Sequence, residues 1–290
     1  MHFEKNEKEI RKDIESSISR CMNRAFSRCA PSRIPQEPDF VAELAENMPG
    51  DLYSSLTAYA PNYNYVVSGA FCHQKPLADF GSGRKPELGD LLLVYIEENK
   101  YSVLKCNAIL LQAKKITRAP YIICLAEEHQ LRLYEEWPTF KLERAGALSG
   151  AEINIQPHTL STGAQYLLFQ SPYKEAKKVS CAYADKMLVP EKHLSDQIID
   201  LMKFFTGRTF QMGKADDDWS KMIIDLIGIS GVTTFNRRIS GRFDVGRQVS
   251  LGDEVLLERL NESLGMYNFV SDNSAGSCML IYAREKYTED

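Results

Sequence analysis

The chain has 290 residues, 44% of them hydrophobic and 26% charged, with a formal net charge of −4. That length suits one large domain or two modest ones, each with its own core. No run of about 18 apolar residues occurs, which argues against a helical membrane span. An N-terminus carrying Glu4, Glu7, Glu9, Asp13 and Glu15 does not read as a secretory or transit leader. The slight acidity disfavours tight, non-specific nucleic-acid binding and asks for a local basic patch if a phosphate backbone is to be held. Seven scattered cysteines with no Cys-x-x-Cys spacing argue for reduced thiols in a cytoplasmic setting and against a zinc site.

Apolar residues at Ile10, Ile14, Ile18, Cys21 and Ala25 predict a helix over residues 5–29. Its other face carries Lys8, Arg11, Lys12, Arg20 and Arg24, which reads either as a solvated face or as a surface for a partner or a phosphate. Pro31, Pro35 and Pro38 break the chain. Asp39 is placed to cap a helix over 40–47, and residues 49–63 read as turns around a short helix. A strand is predicted over Tyr65–Phe71. The loop Gly81-Ser-Gly83-Arg84-Lys85 lacks the full phosphate-loop pattern and precedes a strand, so it reads as a flexible loop or a contact to a nucleic-acid backbone.

Two short apolar runs follow, Glu87–Val94 and Ile109–Lys114, each reading as a buried strand with polar groups at one end. Asp90 enters the first. Gln112 and Lys114 leave the second two residues apart, so a strand points both to one face. An acid, an amide and a lysine on neighbouring strands can hold a hard metal ion and orient a water. A structural reading competes: Asp90 as a strand-end cap and Lys114 as a solvated strand end. Gln112 resists it more, because an amide buried unpaired costs about 1–3 kcal/mol. Antiparallel pairing sets Asp90 opposite Gln112 only if the connection is centred near residue 101. A tight turn at 98–99 would set it opposite residue 107, so a longer connection or a bulge is expected.

Beyond Pro120 a helix is predicted over 126–136, ended by Trp137-Pro138, then strands over Ala164–Gln170 and Cys181–Tyr183. Helices are expected over 196–205, 218–227 and 253–263, and a closing strand over Ser277–Ala283. Arg237, Arg238, Arg242 and Arg247 crowd a Gly-containing stretch, as a solvated loop or as a phosphate grip. The element order predicts an α/β fold with a mixed sheet flanked by helices.

The acid on one strand, Gln-x-Lys on the next and Gln130 on the following helix together resemble the PD-(D/E)xK nuclease superfamily, in the Gln-x-Lys variant of Mrr-like restriction endonucleases. The resemblance spans about residues 38–170. It implies a restriction-endonuclease-like core over 38–190, preceded by an N-terminal helix and linker (1–37) and followed by a mainly helical extension with a closing strand (191–290). It implies that Asp90 is the metal-binding acid, that Gln112 stands where the commoner pattern has Asp or Glu, and that Lys114 orients the attacking water. Magnesium or manganese would be held by Asp90, Gln112 and the backbone carbonyl of Ala113, with Glu43, preferred over Glu46, as an upstream helical acid. Glu87 and Gln130 would support the site. Arg84, Lys85, Lys115, Arg237 and Arg238 are the candidate nucleic-acid contacts, while Trp137 and Phe140 read as core packing in preference to a substrate edge. The implied activity is metal-dependent hydrolysis of DNA in a prokaryotic restriction or phage-defence setting, with a partner subunit or self-association and no membrane. A non-catalytic module of the same fold that binds protein or nucleic acid is the competing expectation, and an RNA-cleaving enzyme using the same site is a third.

Overall fold

A computed structural model describes residues 3–30, 32–71, 76–81, 83–145, 149–157, 163–170, 178–213, 215–232, 247–264 and 276–286. In chain order the elements begin with α1 (Glu7–Arg28), α2 (Glu37–Tyr59), β1 (Tyr63–Phe71), β2 (Leu77–Asp79), β3 (Leu91–Glu98), β4 (Leu104–Ile116) and β5 (Tyr121–Ile122). Next come α3 (Glu128–Glu136), β6 (Phe140–Glu143), β7 (Glu152–Ile153), β8 (Ala164–Gln170), β9 (Lys178–Ala182), β10 (Met187–Leu188) and β11 (Lys192–His193). The chain closes with α4 (Leu194–Met202), β12 (Arg208–Phe210), α5 (Asp218–Ser230), β13 (Arg247–Gly252), α6 (Glu254–Ser263) and β14 (Cys278–Glu285).

The main sheet is mixed and runs β11-β9-β8-β4-β3-β14-β1-β13, with β12 also paired to β4. β14 runs parallel to β3, and β8 parallel to β4, while the other neighbours are antiparallel. Side chains alternate strictly across it. Even-numbered residues such as Val66, Leu92, Leu110, Leu168 and Leu280 join one core with α3, α5 and α6. Odd-numbered ones such as Val67, Leu93, Leu111, Leu167 and Ile281 join a second core with α1, α2 and α4. Cover on both faces explains why β3 and β4 read as nearly unbroken apolar runs instead of alternating ones. The fold is therefore mixed α/β, with helices on both sides of the sheet, as the element order predicts.

Residues beyond 190 are not an appended helical unit, as the sequence division implies. The closing strand β14 inserts between β3 and β1 in the middle of the sheet. α4 lies in one helix layer, and α5 and α6 in the other. The predicted division at 190 reflects sequence order; strand pairing ignores it.

The second helix also departs from its prediction. Asp39 is not the cap residue but the third residue of α2, where its carboxylate accepts the Gln36 N–H at 2.8 Å. α2 then continues through Pro49 to Tyr59 instead of dissolving into turns. Proline has no N–H, so the Ala45 carbonyl loses its helical partner. β1 meets that bared carbonyl with Gly69: a Cβ there would lie 1.8 Å from Ala45 O and 2.7 Å from the Pro49 ring. Close packing on a glycine keeps the proline-bearing helix against the sheet.

Candidate active site

The β3–β4 register pairs Leu91 with Leu111 and Glu98 with Leu104, which centres the connection on residue 101. Asp90, one residue before β3, therefore stands across from Gln112, and its N–H donates to the Leu111 carbonyl at 2.9 Å. The expected longer connection is what makes this possible. One Asp90 oxygen accepts both the Gln112 side-chain amide and the Ala113 N–H, the latter at 2.7 Å. This places the Ala113 main chain beside Asp90. Leu88 and Gly89 lead into this turn. The Tyr134 hydroxyl of α3 donates to the Leu88 carbonyl at 2.9 Å, and a Cβ on Gly89 would stand 3.1 Å from that hydroxyl. Helix α3 thus presses on the strand entry that carries Asp90.

Gln112 and Lys114 have even numbers, so both project to the α3 side of the sheet. They line one open cleft of about 280 Å³ together with Glu87, Glu127, His129 and Gln130. Asp90 lies just behind this wall, touching Gln112 and Glu87. Burial, and after it the charge of Glu87 together with a carboxyl–carboxyl hydrogen bond, hold the Asp90 carboxyl well above the usual carboxylate range. The Ala113 N–H and the charge of Lys114 oppose that rise. Two crowded carboxyls favour retaining a proton between them or admitting a cation.

Lys114 is engaged. Its Nζ donates to Glu127 at 2.7 Å, and the other Glu127 oxygen accepts the Tyr121 hydroxyl at 2.9 Å and the Cys124 N–H at 3.3 Å. Burial works against ionisation of Glu127, but Lys114, Tyr121 and the Cys124 N–H outweigh it and hold its carboxyl below the ordinary range. Burial, with the charges of Arg84 and Lys114, pushes the His129 imidazole down, so the ring is neutral at pH 7.

The residues also pass a test for a hard divalent cation. Gln112 is 9% exposed, and its Oε1 has no hydrogen-bond partner among the described residues. A buried carbonyl oxygen beside two crowded carboxyls is a donor that a hard cation would satisfy. Among the described residues no three His, Cys, Asp or Glu side chains gather as a metal-holding group. The donor set is two carboxyls, an amide and main chain, which suits an ion that keeps several waters.

The remaining candidates are distributed as follows. Gln130 is 6% exposed, and its Nε2 also lacks a partner among the described residues. Glu43 is not brought to Asp90: it packs in the opposite helix layer, accepting Arg28 and, at 2.7 Å, the Asn47 amide. Glu46 lies on that same helix, 3.7 Å from Arg28. Lys115 has an odd number, faces that same layer and donates to the Pro35 carbonyl at 2.9 Å. Lys85 lines the cleft but is held by Asp79 at 2.9 Å and Glu143 at 2.6 Å. Arg84 is exposed and donates to the Ala126 carbonyl at 3.0 Å. Trp137 and Phe140 are buried in the core, as read. Arg237 and Arg238 lie outside the described residues.

The residue that sequence reasoning overlooks is Glu127. It stands 13 positions after Lys114, at the N-cap of α3. The available clue is an acid at the foot of a helix whose next turn carries Gln130, but only folding shows that it meets Lys114. Comparison with family models, with curated proteins and with solved structures returns no match. No described helix is long and apolar enough to cross a membrane.

Proposed function

We propose that the protein is a metal-dependent nuclease of the PD-(D/E)xK type that hydrolyses phosphodiester bonds of DNA, with a restriction-endonuclease-like core. The observation that carries this reading is the meeting of Asp90, Gln112 and Lys114. The first two are hydrogen-bonded across β3 and β4, and Gln112 and Lys114 share one cleft. Stability alone does not call for Asp90 beside Glu87 in a partly buried site, where both burial and charge oppose its ionisation.

In this reading Asp90, Glu87, Gln112 Oε1 and the Ala113 carbonyl hold magnesium or manganese. The bound ion would polarise the scissile phosphate and acidify a water. Lys114 offsets negative charge growing on the phosphate as water adds and the sugar oxygen leaves. Glu127 keeps the ammonium positioned for that task, and neutral His129 and the Gln130 amide line the wall beside it. The overall charge of −4 supports a requirement for a partner subunit or for self-association when DNA is gripped. A prokaryotic restriction or phage-defence role fits this chemistry.

One observation favours a second reading, a non-catalytic module of the same fold: Lys114 is already neutralised by Glu127, and Gln112 carries no charge. Plasmid DNA and a structured RNA incubated with the protein and magnesium, beside Lys114→Ala, separate the two. Cleavage of DNA that requires both magnesium and Lys114 supports the nuclease. DNA and RNA both left intact by wild type and variant alike support the module, and cleavage of RNA alone moves the substrate to RNA.

A further inference from the structure

Three Lys or Arg side chains line the cleft, and they differ in one respect. Lys114 is paired with Glu127, and Lys85 with both Asp79 and Glu143. Arg144 has neither an acid partner nor a hydrogen bond among the described residues, and it is exposed. Its backbone is left-handed, with φ 53°, a conformation uncommon for a side-chain-bearing residue. That turn follows β6 directly, so the chain leaves the strand at Arg144 while Glu143 stays behind on Lys85. Two strand pairings locate the residue. Leu77 bridges Glu87 on one side and pairs with Glu143 on the other. Glu143, the residue before Arg144, thus stands about 10 Å, roughly two strand spacings, from Glu87 on the carboxyl wall of the cleft. Gln130, whose buried Nε2 has no acceptor among the described residues, belongs to the same cleft.

We propose that Arg144, supported by the Gln130 amide, is a phosphate-binding subsite for a nucleotide next to the bond that is cut. The guanidinium is the one cation of the cleft, among the described residues, not already neutralised. Its fork matches two oxygens of a phosphate, which a lysine point charge does not. A carboxylate-lined wall repels a polyanion, so a free arginine on the far wall gives the strand a place to anchor without disturbing the Asp90–Glu87 pair. The inference rests on the nuclease reading, deepens it by assigning substrate contact, and differs from the sequence-based candidates Arg84, Lys85, Lys115, Arg237 and Arg238.

The test is binding, without turnover. A fluorescein-labelled duplex is titrated in calcium, at several salt concentrations, with wild type, Arg144→Gln, Arg144→Lys and, as a control exposed on the far face of the sheet, Lys105→Ala. Thermal melting of each variant checks that it is folded. Arg144→Gln is expected to weaken binding roughly tenfold and to lower the slope of log K against log salt by about 0.9. Arg144→Lys is expected to recover the slope and only part of the affinity, and Lys105→Ala to change neither. Wild-type affinity and slope in a folded Arg144→Gln overturn the subsite and leave the nuclease reading standing. A wild-type protein that binds no DNA overturns both.

Discussion

Asp90→Asn is expected to make the metal-free protein more stable at neutral pH while abolishing its response to magnesium. The native carboxyl titrates above its ordinary value of 3.8, because burial first and the Glu87 charge second oppose ionisation. A native state that holds the proton more tightly than the unfolded chain is most favoured at low pH. The contribution is complete below about 4 and is lost as pH rises to the native pKa, at about 1.4 kcal/mol per pH unit. Asparagine imitates the protonated acid. Its carbonyl can take the Ala113 N–H, now 2.7 Å from the carboxylate, and its amide can face Glu87. The advantage of the variant should therefore grow with pH above about 4 at that slope and then level off. Urea unfolding in chelator from pH 4 to 8 measures it. Magnesium should stabilise wild type alone, by about 2.7 kcal/mol at a hundredfold excess over its dissociation constant, and so narrow the gap. A variant less stable than wild type at pH 7, or a difference that does not change with pH, would refute the argument that Asp90 is electrostatically frustrated.

Other substitutions probe the neighbouring groups. Gln112→Glu adds a third carboxyl to the Asp90–Glu87 pair, so calorimetry should show tighter magnesium binding and chelated protein should melt lower; unchanged affinity tells against Gln112 as a ligand. Glu127→Gln is expected to cost about 1–3 kcal/mol at pH 7 by stranding Lys114. Because the Glu127 carboxyl is held below its ordinary 4.5, that contribution is present above about 4.5 and fades as pH falls through the native value, so wild type and variant should converge in acid. Gly69→Ala forces a Cβ to within 1.8 Å of the Ala45 carbonyl, so α2 must retreat by more than an ångström, at a cost of about 3 kcal/mol in urea unfolding. A wild-type urea midpoint for that variant would contradict the packing described between α2 and β1.

The local periodicities of the chain determined most of its elements. Apolar spacing marked α1, apolar runs marked β3, β4 and β8, and the even separation of Gln112 and Lys114 set them on one face. The Asp90–Gln112 register was conditional on a connection centred near residue 101, and the β3–β4 pairing supplies that connection. These features depend on backbone geometry over a few residues, which is why they can be read locally. Tertiary structure alone decided the rest. Glu43 satisfies the local pattern for an upstream helical acid, yet helix layering turns it to the far side of the sheet, where the strand period of two already sends Lys115. Pro49 should break a helix, but Gly69, twenty positions away, meets the carbonyl it exposes. β14 enters the centre of the sheet from the chain's end, and Glu127 and Arg144 reach the cleft through loops. Contacts between residues distant in sequence leave no trace in local spacing, because what selects them is burial and charge shared across the completed core.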